Sequence, residues 1–253
     1  MISEITRDDF LNEVYDYRPG EHQLIVAPTG AGKTHLMYQL LEQAMLQHPG
    51  LSVVSFMPKP ADPATVEWAG RLNLRETPVW PPKKKFLDSD KPAGHLLWPP
   101  HAMNLPPEER REGVGAVLRT GLDAQFKRGH GISVVDDAHS AATLMHLNSY
   151  IEEMLVNGRA GGAGIWLATQ KPSGTVNSGS LSTFAYGNST HFWASKDSDE
   201  RNLRRLGEVG GIDPKFMERE IRSLRMFQIN GHAVGEFLYV DRRGPYAIRV
   251  LPW

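Results

Sequence analysis

No cysteine occurs among the 253 residues, which excludes disulfides and thiolate metal sites and fits a reducing compartment. A surplus of charge of one sign is missing too: 28 Lys and Arg stand against 29 Asp and Glu, a net charge of −1. The whole chain therefore carries no basic field to draw nucleic acid, and any such contact must come from local patches. No apolar run approaches the roughly 20 residues that a membrane helix needs. The opening stretch MISEITRDDFLNEVYDY carries acids and no apolar core, which excludes a secretory signal. A soluble, cytoplasmic protein without membrane insertion is expected. Ten histidines show no metal-ligand spacing; His139 and His146 are seven apart without an acidic pair and read as surface residues. Internal repeats and low-complexity tracts are absent.

What is present is ordinary globular composition, with 40% hydrophobic and 23% charged residues. The length suits one large domain over 1–253, with a core at about 20–200. Residues 23–28 read as a buried strand, and Leu36, Met37, Leu40, Leu41, Ala44 and Met45 as one face of the helix that follows. A strand is expected at 51–57 and a short helix at 63–69. Prolines at 78, 81, 82, 92, 99, 100, 106 and 107 mark about 71–107 as an irregular insertion, with a brief strand at 96–98. A helix starting at Pro106 and Pro107 presents Val114, Val117, Leu118, Leu122 and Phe126. Strands at 132–135, 165–168 and 191–194 alternate with helices near 144–156, 198–206 and 214–222. Strands near 225–229, 235–240 and 246–251 end the chain, as an extension over about 213–253. This order predicts an α/β fold: a mostly parallel sheet flanked by helices, with antiparallel strands at the C-terminus.

Between the first strand and helix stand Ala27, Pro28, Thr29, Gly30, Ala31, Gly32, Lys33, Thr34 and His35. They resemble the Walker A motif of P-loop NTPases, with alanine where the first glycine is usual. Glycines at 30 and 32 let the loop curl its N–H groups toward phosphates. Lys33 then reaches the β and γ oxygens, and the Thr34 hydroxyl joins a Mg²⁺ shell. The cofactors implied are ATP and Mg²⁺. Ile132-Ser133-Val134-Val135-Asp136-Asp137 resembles Walker B, with Asp136 holding Mg²⁺ through water and Asp137 polarising the attacking water.

A third stretch, GRAGGAGIWLATQKPSG at 158–174, places Ala-Thr-Gln at a strand end. Together with VVDDAHS, it is similar to the FtsK–HerA superfamily of ring ATPases, over roughly residues 20–200. The resemblance implies that Gln170 senses the γ-phosphate beside Thr169, and that Arg159 reaches a neighbour's nucleotide. Strand-end hydrogen bonding is the plainer reading of Gln170, and a solvated helix terminus that of Arg159. The family usually has Glu where Asp137 stands, one methylene longer; Glu152 and Glu153 are distant substitutes.

Members of this family pump or segregate DNA, and some load genomes into viral shells. Neither the membrane anchor and winged-helix module of some members nor the N-terminal barrel of others is expected here. The expectation is a bare motor: a homo-oligomeric ring, pentamer or hexamer, translocating double-stranded DNA, with capsid-vertex or portal proteins as partners. The alternatives are a conjugation or secretion ATPase moving single-stranded DNA or protein, and a nucleotide-gated scaffold with little turnover. For DNA contact, Lys83, Lys84 and Lys85 lie between Trp80 and Phe86, either a phosphate-binding loop or a solvated surface. Residues 201–225 carry seven basic against four acidic side chains, facing DNA or a neighbour's acids. Lys171 and Ser173 are further lumen candidates.

Overall fold

The structure, a computed structural model, describes residues 2–58, 62–82, 92–170, 172, 183–229 and 232–252. The chain begins with β1 (Ser3–Thr6), α1 (Arg7–Asp9) and a π-helical turn, Phe10–Val14. There follow β2 (Gln23–Val26), α2 (Lys33–Gln47), β3 (Ser52–Phe56), α3 (Pro63–Arg71), β4 (Leu74–Thr77) and β5 (Gly94–Leu97). The middle holds α4 (Pro107–Arg128), β6 (Gly131–Val135), α5 (Asn148–Asn157), β7 (Ala163–Thr169), α6 (Thr183–Asn188) and β8 (His191–Ser195). The last elements are α7 (Glu200–Val209), α8 (Pro214–Ser223), β9 (Met226–Ile229), β10 (His232–Gly235), β11 (Phe237–Asp241) and β12 (Tyr246–Leu251).

Ten strands form one sheet in the order β1-β12-β11-β8-β2-β7-β6-β3-β5-β4. From β8 to β4 every pairing is parallel; β11 then runs antiparallel to β8 and to β12. Alternate side chains of each strand serve opposite faces. Leu24, Val26, Val54 and Leu167 pack with Leu118, Met154 and Leu203 on one side. Ile25, Val53, Val134 and Trp166 pack with Leu36, Leu40 and Trp68 on the other. Burial on both faces is why these strands read as continuous apolar runs rather than alternating ones.

The expected helix faces are buried where the pattern put them: Leu36, Met37, Leu40, Leu41 and Ala44 on α2, and Ile151, Met154 and Leu155 on α5. The stretch expected to be irregular differs. The brief strand expected at 96–98 is present as β5, and the stretch also contributes β4, parallel to β5, and a 3₁₀ turn at Pro100–Asn104. β4 is the outer edge, where polar Arg75 and Glu76 are tolerated, so its sequence carries a weak strand signal. The helix expected from 144 begins at Asn148, because Ser140–Leu144 winds as a π-helix and His146 takes a left-handed φ of 54°. α6 and β1 went unmarked by the pattern. β9 and β10 form a separate antiparallel pair rather than extending the main sheet. The strand expected at 235–240 breaks at Glu236, whose buried carboxylate accepts the Arg225 N–H and guanidinium at 2.8 and 2.7 Å.

Candidate nucleotide-binding site

Because β2, β7, β6 and β3 are parallel neighbours, whatever follows each of them gathers at one edge of the sheet. Those segments are the glycine loop, Gln170, the Asp136–Asp137 pair and Met57–Pro58. They line a cleft of about 340 Å³ with Thr29, Gly30, Gly32, Lys33, Thr34, His35 and the first residues of α3.

The loop has the backbone it needs. Gly30 and Gly32 take φ of 79° and 84°, where a side chain would be strained. Ala27 N–H donates to Thr169 O at 3.1 Å, tying the loop's start to β7. The first turn of α2 faces the cleft with the positive end of the helix dipole. The Lys33 ammonium donates to Pro28 O at 2.9 Å, across the loop. His35 is positioned from outside: Trp68 Nε1 donates to its Nδ1 at 3.0 Å.

Thr34 Oγ1 donates to Asp136 Oδ2 at 2.6 Å, joining residues 102 positions apart. A hydroxyl and a carboxylate in contact, with no nitrogen or sulfur donor, form an oxygen set that fits Mg²⁺. Among the described residues no group of three His, Asp or Glu is arranged to hold a metal, so Mg²⁺ would complete its shell with phosphate oxygens and water. Thr169 Oγ1, in a residue 2% exposed, has no hydrogen-bond partner among the described residues and lines the same cleft. A buried hydroxyl left that way fits a site completed by ligand or water. The neighbouring Gln170 is exposed at the cleft mouth.

Asp137 borders the cleft, but its carboxylate is engaged by the turn that follows. Ser140 N–H donates to Oδ1 at 3.1 Å and Ser140 Oγ to Oδ2 at 2.7 Å. Glu152 and Glu153 lie on α5 and do not line the cleft. Asp62 and Thr65 do line it, and the sequence pattern did not single them out. Their signal was an Asp-Pro pair opening the short helix expected at 63–69.

Arg159 is brought to the other edge. It sits in the 3₁₀ turn Gly158–Gly161 that precedes β7, whereas Thr169 closes that strand. There it borders a hollow of about 290 Å³ with His22, Thr190, Arg242 and Arg243. Burial, with the Arg159 charge adding to it, pulls the His22 pKa down to about 4. Its Nδ1 accepts the Ile165 N–H at 3.1 Å. The Arg242 guanidinium donates to the carbonyls of Tyr186, Ser189 and Val209, and burial lowers its pKa to about 10.

Of the seven basic residues in 201–225, four are ion-paired within the chain: Arg205 to Glu208, Arg219 to Glu220, Arg222 to Glu200 and Arg225 to Glu236. Arg201, Arg204 and Lys215 make no ion pair among the described residues. Lys83, Lys84, Lys85, Phe86, Lys171 and Ser173 lie outside those residues. Among the described residues no helix is long and apolar enough to cross a membrane.

The fold and cleft define a P-loop ATPase architecture, with one strand, β7, between the strands bearing the Walker A-like and Walker B-like segments. No family model matches the chain, and no curated protein does. Solved structures do match. The genome packaging NTPase B204 from Sulfolobus turreted icosahedral virus 2, in complex with sulfate, aligns with TM-score 0.61 and 14% identity, over 94% of this chain and 98% of that one. The same NTPase in complex with AMPPCP gives 0.57 and 14%, over 94% and 100%. VirB4 of Thermoanaerobacter pseudethanolicus gives 0.60 and 10%, over 92% and 89%. At these identities the likeness is one of fold, and the fold is the one the FtsK–HerA resemblance implied.

Proposed function

We propose that this protein is an ATP-driven double-stranded DNA translocase of FtsK–HerA type that packages a viral genome, working as a homo-oligomeric ring. The observation that carries the ATPase part is the contact at 2.6 Å between Thr34 and Asp136, beside Lys33 on a left-handed glycine loop. Lys33 neutralises the β- and γ-phosphates, and Thr34 and Asp136 hold Mg²⁺, which supplies charge at the transferred phosphoryl group. Gln170 meets the γ-phosphate from β7. Asp137 and Asp62 are the two further carboxylates on the wall where water attacks. Arg159 serves the nucleotide of an adjacent copy, since its own lies at the opposite edge of the sheet.

The packaging part draws support from the likeness to a viral packaging NTPase over nearly the full length of both chains. A conjugation or secretion role is the second reading, favoured by the comparable fit to VirB4. Purified protein should hydrolyse ATP in a Mg²⁺-dependent way, stimulated more by double-stranded than by single-stranded DNA. Lys33→Ala should abolish turnover with unchanged circular dichroism, because Lys33 contributes charge rather than packing. Turnover at the wild-type rate in that variant would remove the P-loop reading; stimulation by single-stranded DNA or protein alone would favour the second.

A further inference from the structure

We infer that Asp62, at the start of α3, is the carboxylate that takes the proton from the attacking water. The inference rests on the ATPase reading above and assigns the one step that reading leaves between two side chains.

Asp62 is the N-cap of α3, with extended backbone at φ −82° and ψ 117°. Its Oδ2 accepts both Thr65 N–H at 2.9 Å and Thr65 Oγ1 at 2.8 Å. Oδ1 accepts no hydrogen bond among the described residues, and the residue lines the cleft. Asp137 is arranged the other way, with Ser140 donors on both of its oxygens. Its side chain is also a methylene shorter than the glutamate that the family resemblance implies at that place. Asp136 is committed to Thr34.

A general base must be held in place as well as aimed. α3 is clamped to α2, the helix that carries Lys33 and Thr34, at three points. Trp68 Nε1 donates to His35 Nδ1 at 3.0 Å, and the Trp68 ring stacks on Tyr38 at 6.2 Å and 8°. Arg71 forms a two-pronged pair with Glu42 at 3.1 and 2.9 Å. The second half of α3 is thereby fixed along α2, and Asp62 is carried at the other end of the same short helix. Both Asp62 and Asp136 contribute to the electrostatic environment of the Tyr38 hydroxyl, where burial is the larger cause of a raised pKa.

The step balances without a further reactant. The water oxygen bonds to the γ-phosphorus while its proton passes to Asp62 Oδ1. The bond from that phosphorus to the β–γ bridging oxygen breaks, its electron pair leaving with ADP. Inorganic phosphate departs, and Asp62 returns the proton to solvent.

Asn and Ser are N-caps about as good as Asp, so Asp62→Asn and Asp62→Ser keep the helix start and remove only the base. Each variant is measured for ATP turnover, for affinity toward ATPγS with Mg²⁺, and for thermal melting, beside Asp137→Asn and Lys33→Ala. Both Asp62 variants should melt with the wild type and bind ATPγS at least as tightly, because a like charge facing the phosphates is gone. Their turnover should fall by at least about 100-fold. They should also hold ATP intact after gel filtration, where the wild type carries ADP. Turnover within about threefold of wild type in either variant overturns the inference, as does a loss of ATPγS affinity or of folding that accounts for the fall. Absence of hydrolysis in the wild type would instead sink the ATPase reading itself.

Discussion

Removing the Arg159 side chain tests whether one active site needs two copies of the chain. β7 spans Ala163–Thr169, so six steps of about 3.3 Å separate its ends by ~20 Å. Arg159 precedes one end and the cleft lies at the other. That distance is well beyond a side chain's reach, so any effect of Arg159 on hydrolysis must pass to a neighbour. Where an arginine supplied in trans has been measured in GTPases it is worth ~10³–10⁵ in rate. At 1.36 kcal/mol per tenfold, this is about 4–7 kcal/mol of transition-state stabilisation. Arg159→Ala should therefore bind ATPγS normally and lose at least about 1,000-fold in turnover. Mixing supplies the decisive measurement. Arg159→Ala keeps its P-loop, and Lys33→Ala keeps its arginine. In a random equal mixture with head-to-tail contacts, about one interface in four combines the two intact halves. Turnover should then return to roughly a quarter of the wild-type value if sites act independently, and vary with the mixing ratio. If two co-assembling variants restore nothing at any ratio, Arg159 is not shared between subunits. If Arg159→Ala alone keeps wild-type turnover, the arginine is only a solvated turn residue.

Two further outcomes follow from the contacts. Asp136→Asn should raise the Mg²⁺ concentration for half-maximal turnover by about 10- to 100-fold, since Asp136 and Thr34 together define the oxygen set; an unchanged Mg²⁺ titration would refute the metal role. His22 should make folding acid-sensitive. Its folded pKa is depressed to about 4 from the ordinary 6.5, so between those values the unfolded chain binds the proton that the folded chain refuses. The stability is complete above pH 6.5 and declines by about 3 kcal/mol as pH falls toward 4. His22→Asn keeps an acceptor for Ile165 N–H, so its melting temperature should drop less than the wild type's between pH 7 and 4.5; equal drops would refute the account.

The sequence by itself determined those features that depend on neighbours along the chain. The glycine loop needs left-handed backbone at Gly30 and Gly32, and those positions announce it. Apolar runs at β2, β6 and β7 state that both faces of the sheet are covered, and the 3.6-residue spacing on α2 and α5 names the buried faces. Lys33, Thr34, Asp136 and Gln170 were legible because each ends a strand or opens a helix, and parallel strands deliver such residues to one edge.

Tertiary structure decided what depends on partners distant in sequence. β4 reads as polar text because only a sheet edge makes Arg75 and Glu76 acceptable in a strand. β1 gains its identity only from pairing with β12, some 245 residues away. Asp137 carries a catalytic residue type, and only the folded turn shows Ser140, three positions on, donating to both of its oxygens. Asp62 carries a capping residue type, yet the Trp68–His35 and Arg71–Glu42 contacts bring it to the wall of the phosphate cleft. Residue type fixes what a carboxylate is able to do; the elements packed against it decide which of those roles its lone pairs remain available for.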